Sequence, residues 1–396
     1  MTAVRLSRRA AAVEPFYVME VAKAAAARAA AAPQGQPMLY LNIGEPDFTA
    51  PPLVRQAAER AVRDGRTQYT QATGLPELRE RISAWYASRF GLDVPARRIV
   101  VTAGASAALH LACLALLDEG DEVLMPDPSY PCNRHFVGVA GGKAVLLPCG
   151  PGQRFQLTSE QVRAAWGPRT RGVLLASPSN PTGTSIAPDQ LAAIDAAVRE
   201  RGGLTLVDEI YLGLSYDAAF GQSALALGEH VISVNSFSKY FCMTGWRLGW
   251  LVVPDELVPA IERLAQNLFI CASSVAQRAA LACFEPESIA EYEQRRTAFR
   301  QRRDYLVPAL GQLGLSVPVM PDGAFYAWAD AQAACARLGV ADSWDLSFAL
   351  MDAAGLAVTP GRDFGQADTG RYIRLSTASS MDTLREAVQR LARVLA

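Results

Sequence analysis

The segment Ser236-Phe237-Ser238-Lys239 places an amine directly after the apolar, β-branched run 231–235. If that run is a strand, the lysine lies at its carboxyl end, where open α/β sheets bind their ligands. A lysine in a partly apolar pocket can lose its proton and attack a carbonyl carbon, which forms a Schiff base. Because most lysines are exposed surface residues, this interpretation depends on the residues around Lys239.

A phosphate site is indicated by two other segments. Arg247 follows Lys239 by eight residues, and with Ser236 it offers a charged fork and a hydroxyl to an anion. Gly104-Ala105-Ser106 stands where another β-branched run passes into a helical pattern. Glycine lets the backbone approach a ligand, and a helix N-terminus attracts anions. Small residues also begin helices for packing reasons alone, and the sequence lacks a P-loop pattern.

Two further segments bring polar groups to the ends of predicted strands. The segment 177–183 contains two prolines and a glycine, which favour a rigid turn that can aim Asn180 into a cleft. An ordinary loop is the alternative. Asp208 ends another apolar run and is followed by Tyr211. A buried aspartate needs a cationic partner, and a protonated pyridine nitrogen would be one.

The elements that must position these residues follow from the hydrophobic pattern. From residue 99 onward, apolar runs alternate with helical patterns, and several runs are apolar on both faces, as in a covered parallel sheet. Thr158 with Gln161 forms a capping-box pattern, and Pro188 begins another helix. This predicts an α/β fold with a mostly parallel seven-stranded sheet flanked by helices. The predicted strands are 99–102, 122–125, 144–147, 173–176, 204–208, 231–235 and 248–253.

The pattern changes after residue 285. A long charged helix is predicted over 288–310, followed by short strands near 325–328, 357–359 and 373–375 and a final helix over 381–394. These elements are typical of a smaller α+β domain. We therefore expect an N-terminal segment, 1–44, that packs with the small domain, a large domain over 45–285, and a small C-terminal domain over 286–396.

Composition excludes several classes of protein. The 396 residues are 50% hydrophobic and 19% charged, which excludes a disordered chain, and a net charge of -1 lacks the basic footprint of a nucleic-acid binder. Seven cysteines without a C-x-x-C pair and only three histidines predict no metal site and a reducing compartment. The uncharged run 99–117 divides into strand, glycine turn and helix, so we expect a cytoplasmic protein with no membrane partner.

Six segments occur in an order and spacing that resemble the class I/II aminotransferases, pyridoxal-phosphate enzymes of the aspartate aminotransferase fold (fold type I). They are 44–48, 177–183, Asp208 with Tyr211, 236–239, 244–249 and 374–376. The resemblance extends from Gly44 to the C-terminus, over four-fifths of the chain. It implies that the large domain binds pyridoxal 5'-phosphate. It also implies transfer of an amino group between an L-amino acid and a 2-oxo acid by a ping-pong Schiff-base mechanism.

The resemblance also implies a role for each matching residue. Lys239 would hold the cofactor as a Schiff base and shuttle the substrate proton, while Asp208 would keep the pyridine nitrogen protonated. Tyr211 and Asn180 would hydrogen-bond the phenolic oxygen of the cofactor, and Tyr130 would stack on its ring. The remaining contacts would be Ala105, Ser106, Ser236 and Arg247 with the phosphate, Tyr69 with the phosphate of the neighbouring subunit, and Gly44, Asn180 and Arg374 with the substrate.

The substrate is less determined than the reaction. In aspartate-using bacterial members, the position of Ser106 is often a lysine that binds the distal carboxylate, so serine favours a neutral or aromatic donor. Two alternatives stay open, a carbon–sulfur β-lyase on the same fold and a non-enzymatic PLP-binding regulator. The segment before Gly44 is too short and Ala-rich for the DNA-binding module of such a regulator. The family also implies a homodimer with active sites at the subunit interface.

Overall fold

The strands of this protein are short, and most alternate with helices along the chain. The computed structural model describes residues 4–31 and 37–395. The strands within these ranges are β1 (Leu39–Tyr40), β2 (Ile99–Thr102), β3 (Glu122–Asp127), β4 (Lys143–Pro148), β5 (Thr170–Ala176), β6 (Leu204–Asp208), β7 (Ile232–Ser236), β8 (Gly249–Val252), β9 (Tyr326–Asp330), β10 (Leu356–Ala357), β11 (Thr359–Pro360) and β12 (Tyr372–Ser376).

Many of the helices begin and end at residues that favour those positions. Proline occupies the first turn of several, as at Pro76 and Pro188, and left-handed glycines such as Gly91 and Gly355 end others. In the described part of the chain, no helix combines the length and apolarity needed to cross a bilayer. The α-helices are α1 (Arg8–Ala12), α2 (Tyr17–Ala31), α3 (Pro52–Arg63), α4 (Pro76–Phe90), α5 (Ala105–Leu116), α6 (Pro131–Val139), α7 (Ser159–Ala165), α8 (Pro188–Arg199), α9 (Val258–Leu268), α10 (Ser274–Ala280), α11 (Pro286–Gln312), α12 (Gln332–Leu338), α13 (Ser343–Ala354) and α14 (Met381–Leu395).

Seven strands form one mixed sheet in the order β2-β8-β7-β6-β5-β3-β4. The run from β7 to β4 is parallel, and β8 pairs antiparallel with both β7 and β2. Alternate residues of the central strands enter different cores: Val173 and Leu175 pack on one face of the sheet, and Leu174 packs on the other. This two-sided burial is why the runs are apolar at consecutive positions rather than at every second one.

The predicted fold class is confirmed, with a mostly parallel seven-stranded sheet between helices. The predicted bounds of β2 and β6 are those observed, whereas most other predicted strands differ by one to three residues at one or both ends. The single strand predicted near 357–359 is wrong, because the chain forms two short strands there, β10 and β11, which belong to different sheets. The capping box is also present. Thr158 Oγ1 accepts a hydrogen bond from Gln161 N at 3.2 Å, and Gln161 Oε1 accepts one from Thr158 N at 3.1 Å.

A separate apolar core lies in the C-terminal part of the chain, where α11, α13 and α14 pack against the sheet β11-β12-β9. Helix α2 buries Val21 and Ala25 against Met351 and Ala357 of that same region. Strand β1 continues this link by pairing in parallel with β10. The division of the chain into domains at residues 44 and 285 stays a prediction.

Candidate active site

The edge of the sheet positions the site. Strands β5, β6 and β7 are adjacent and parallel, so their carboxyl ends meet at one edge. Asp208 ends β6, Ser236 ends β7, and the turn that carries Asn180 follows β5. A cleft of about 370 Å³ opens there, a size suited to a small-molecule ligand. The predicted site residues that line it are Gly44, Ala105, Ser106, Tyr130, Asn180, Asp208, Tyr211, Ser236, Lys239, Arg247 and Arg374.

The amine of Lys239 projects into this cleft. Its Nζ donates a hydrogen bond to the Gly44 carbonyl at 2.6 Å and lies 5.7 Å from the centre of the Tyr211 ring. Burial lowers the pKa of Lys239 to about 8, and the positive charge of Arg374 adds to this effect. At this pKa, part of the amine is neutral and therefore nucleophilic near physiological pH.

Asp208 is a buried carboxyl with few neighbouring groups that stabilise its negative charge. It is 4% exposed, and its Oδ1 accepts a hydrogen bond from the Ile210 amide at 3.2 Å. Burial raises the pKa of Asp208 to about 7, although that hydrogen bond opposes the shift. A cationic group bound against this carboxyl would restore its charge, and a protonated pyridine nitrogen fits that requirement.

Arg374 lies on β12 and is 3% exposed. Its Nη1 donates to Asn180 Oδ1 at 2.8 Å, and its Nη2 donates to the Asn42 carbonyl at 2.9 Å. Because the arginine engages the amide oxygen of Asn180, the amide nitrogen is left to donate elsewhere in the cleft. Within the described residues, Arg374 Nε is buried without a hydrogen-bond partner. A carboxylate beside this guanidinium would supply acceptors for the planar fork.

Gly104 and Arg247 form a cradle at the N-terminus of α5. Gly104 has a φ of +84°, and a Cβ at that position would lie 2.7 Å from Arg247 Nη2. Only glycine therefore leaves room for the guanidinium beside the first amides of the helix. Arg247 Nη1 also donates to the Thr244 carbonyl at 3.0 Å. A charged fork at a helix N-terminus is suited to a phosphate, so these residues fit the phosphate group of pyridoxal phosphate.

Ser236 and Tyr130 line the same cleft. Ser236 Oγ accepts a hydrogen bond from the Ser238 amide at 3.0 Å and donates to the Leu248 carbonyl at 3.3 Å. Tyr130 precedes α6 and meets the ring of Phe16 edge-on, with 6.5 Å between the ring centres. Burial raises the pKa of Tyr130 well above its ordinary value, so its hydroxyl keeps its proton.

Tyr69 is the predicted site residue that the structure does not bring to the cleft lining of this chain. Its side chain is 78% exposed. The residues on either side of it are anchored: Gln68 O accepts from Ser274 Oγ at 2.6 Å, and Thr70 Oγ1 accepts from Gln277 Nε2 at 2.9 Å. The backbone is thus held while the ring faces outward, and the predicted contact with a neighbouring subunit stays a prediction.

Sequence reasoning missed several residues of the cleft. Tyr326 falls in the strand predicted near 325–328 and belongs to no motif, yet its Oη lies 2.7 Å from Tyr211 Oη. Phe16 and Tyr17 both precede the matched segments, and of the two Phe16 lines the cleft, whereas Tyr17 packs on Trp344. Met19 of α2 also lines the cleft. No local sequence pattern marks these residues as part of the cleft, because their role depends on how distant segments dock.

The comparisons with known proteins agree with this geometry. A family model described as aminotransferase class I and II matches residues 36–391. The chain belongs to this family, whose members use pyridoxal phosphate, and it is an aminotransferase. This identification confirms the family, the enzyme class and the cofactor that the sequence resemblance implied.

The relatives differ in the substrates that they are named for. The chain is 40% identical over 380 residues to the valine–pyruvate aminotransferase of Mycobacterium tuberculosis, which covers 96% of each chain. It is 35% identical over 397 residues to an aspartate aminotransferase of Geobacillus stearothermophilus, covering 99% of each. Among solved structures, aspartate aminotransferase from Thermus thermophilus with maleate superposes with a TM-score of 0.91 at 35% identity, covering 99% of this chain and 100% of that one.

Proposed function

We propose that this aminotransferase takes its amino group from an L-amino acid with a neutral or aromatic side chain and passes it to a 2-oxo acid in two alternating half-reactions. The observation that carries this proposal is the part of the cleft lining that the N-terminal segment contributes, called the wall below. That wall is apolar and consists of Phe16, Val18, Met19, Ala22 and Ile43. An uncharged side chain would bury apolar surface there, whereas a carboxylate would lose its hydration without gaining a partner.

The charges around the cleft support the same choice. Among residues 4–31 and 37–395, the cations that line it are Lys239, Arg247 and Arg374. Each already has a task with the cofactor or the substrate α-carboxylate, so none is left for a distal carboxylate. The resemblance implies that the position of Ser106 is often a lysine in aspartate-using bacterial members, and the carboxylate of Glu45 adds a like charge to the lining. The valine-using relative is consistent with this reading.

Residues of the floor of the cleft would hold the cofactor. Asp208 would pair with the pyridine nitrogen, Tyr211 and Asn180 would donate to the phenolic oxygen, and Tyr130 would cover the ring. Ala105, Ser106, Ser236 and Arg247 would bind the phosphate. Bound pyridoxal phosphate supplies an electron sink for the charge left when a bond to the substrate Cα breaks. Asp208 favours that sink because a carboxylate stabilises a protonated ring nitrogen.

The other residues orient the substrate and move its proton. Arg374 would bind the α-carboxylate with its fork, and the Gly44 backbone borders the same space, since a Cβ there would lie 3.9 Å from Arg374 Nη2. Lys239 Nζ would then take the proton from the substrate Cα and deliver it to the cofactor, as general base and then general acid. The lowered pKa of Lys239 suits both steps, because it lies close to neutral pH.

We propose in addition that the enzyme works as a homodimer in which Tyr69 reaches the phosphate of the neighbouring subunit. Mixing two inactive or impaired variants tests this arrangement. Dimers of one Lys239→Ala subunit and one Tyr69→Ala subunit would contain one intact site, so the mixture should exceed the activity of either variant alone. No gain on mixing would contradict a shared site.

A half-reaction screen tests the proposed donor class. The protein is loaded with pyridoxal phosphate and given single amino acids without any 2-oxo acid, and the absorbance of the cofactor is followed. We expect valine, leucine or phenylalanine to convert the cofactor to its amine form at least about tenfold faster than aspartate does. Burying the distal carboxylate of aspartate without a partner gives a discrimination of this size. A faster reaction with aspartate would contradict the proposal, and release of ammonia with pyruvate would indicate a β-lyase.

A further inference from the structure

Tyr326 lines the cleft but belongs to none of the motifs. It is the first residue of β9, is 1% exposed, and contacts three site residues at once. Its Oη is 2.7 Å from Tyr211 Oη, and its ring centre is 4.4 Å from Arg374 Cζ. A Cβ on Gly44 would lie 2.8 Å from the same hydroxyl, so the chain leaves room for Tyr326 at that point.

The short contact between the two phenols restricts their protons. Each hydroxyl has a single proton, so only one of the two can donate across the 2.7 Å contact. Burial raises the pKa of both Tyr211 and Tyr326, so both keep their protons at neutral pH. If Tyr211 is to donate into the cleft, Tyr326 must be the donor to Tyr211. A hydroxyl that accepts a hydrogen bond is also a stronger donor in turn.

The ring of Tyr326 has a second contact that does not involve its hydroxyl. The guanidinium of Arg374 lies over the ring face, and the Phe364 ring, 5.0 Å from the same Cζ, also packs on it. Cations over aromatic faces are held by the ring quadrupole and by exclusion of water. These two rings therefore help to fix the plane in which Arg374 presents its fork.

We propose that Tyr326 is a positioning residue with two separable tasks. Its hydroxyl donates to Tyr211, which directs the Tyr211 proton to the phenolic oxygen of the cofactor, and its ring fixes the guanidinium of Arg374 for the substrate carboxylate. The inference rests on the proposed function, because it assumes that the cofactor and the substrate occupy the places assigned to them above.

Two substitutions separate the tasks. Tyr326→Phe keeps the ring and removes the hydroxyl. A hydrogen-bond donor at the phenolic oxygen of the cofactor favours the anionic form of that oxygen. Weakening the donor should therefore raise the pH midpoint of the absorbance change of bound pyridoxal phosphate by about half a unit. The KM for the amino acid should stay nearly unchanged. Tyr326→Leu also removes the aromatic face, and we expect KM to rise about tenfold further.

The matched control is Tyr292→Phe. Tyr292 is fully buried, and within the described residues its hydroxyl has no hydrogen-bond partner, so this variant should leave both the midpoint and KM unchanged. A lower midpoint in Tyr326→Phe would mean that Tyr211 donates to Tyr326, which overturns the proposed direction of that hydrogen bond. An unchanged midpoint would mean that the Tyr326 hydroxyl does not direct the Tyr211 proton, which overturns that part of the proposal. If the absorbance of pyridoxal phosphate bound to the wild-type protein did not depend on Lys239, that result would instead contradict the proposed function itself.

Discussion

The floor and the apolar wall of the cleft are built in different ways. The floor includes side chains that end neighbouring strands and are almost fully buried, with Asp208 4% exposed at the end of β6 and Ser236 2% exposed at the end of β7. The wall is a docked segment, and its side chains include Met19 at 55% and Ile43 at 45% exposure. The sheet thus fixes the groups that do chemistry, whereas the groups facing the substrate side chain depend on how the N-terminal segment docks.

A buried carboxylate anchors the first turn of the wall segment. Asp363 is 1% exposed and accepts hydrogen bonds from the Tyr17 amide at 2.9 Å and from the Val18 amide at 2.6 Å. These amides belong to the first turn of α2, where a carboxylate both caps the helix and favours its dipole. Arg362 reinforces the contact by lying 4.5 Å from the centre of the Tyr17 ring.

Replacing the amine of the floor should have the largest effect. Lys239→Ala should abolish transamination while pyridoxal phosphate still binds through the phosphate cradle, because no other amine lines the cleft in the described residues. The measurement is steady-state turnover together with the absorbance of the bound cofactor. Lys143→Ala, at an exposed lysine paired with Glu122, is the control and should be fully active. Near-normal turnover of Lys239→Ala would remove this residue from the reaction.

Asp208→Asn should fold normally and lose at least about a hundredfold in kcat, the usual loss when a preorganised electrostatic partner is removed. A neutral amide cannot favour a protonated ring nitrogen, so the electron sink becomes weaker. Stopped-flow rates of the half-reaction with the best donor measure this loss. An unchanged rate would mean that Asp208 does not contact the cofactor.

The same variant tests the raised pKa of Asp208 in the cofactor-free protein. Because the folded pKa, about 7, lies above the unfolded value near 3.8, the folded state binds the proton more tightly. This carboxyl therefore contributes most stability below about pH 4 and loses it as the pH rises to about 7. Wild-type stability should fall relative to Asp208→Asn over that window in urea titrations. Parallel pH profiles of the two proteins would contradict the shift.

Arg374→Lys should raise KM for every amino acid by about tenfold to a hundredfold, because a lysine cannot reproduce the bidentate fork. The effect should be similar for valine and for alanine, since both present the same α-carboxylate. A loss confined to donors with large side chains would instead mean that Arg374 contacts the substrate side chain rather than its α-carboxylate.

The wall should give the smallest and most selective effect. Asp363→Asn weakens one of the two hydrogen bonds to α2, so the preference for phenylalanine over alanine should fall by about threefold to tenfold, with alanine turnover little changed. Asp352→Asn is the matched control, because Asp352 also pairs with α2, through Arg28, but is 63% exposed. Equal losses in both variants would mean that general docking of the helix, rather than this anchor, sets the preference.

Much of the fold could be predicted from local patterns. The bounds of β2 and β6, the capping box at Thr158 and the helix that begins at Pro188 all depend on residues close in sequence. Apolar runs at consecutive positions predict buried parallel strands, and the polar groups that follow them necessarily lie at the same edge of the sheet. Lys239, Asp208 and Asn180 could be found for that reason.

The remaining features depend on contacts between distant parts of the chain. Tyr326 meets Tyr211 across 115 residues of sequence, and Tyr17 meets Asp363 across 346. The family, the sheet and the residues at its strand ends follow from the amino-acid pattern, because hydrophobic period and turn chemistry are local. Which aromatic hydroxyl lies beside Tyr211 and which side chains form the wall depend on the folded chain, because the packing of whole segments sets those distances.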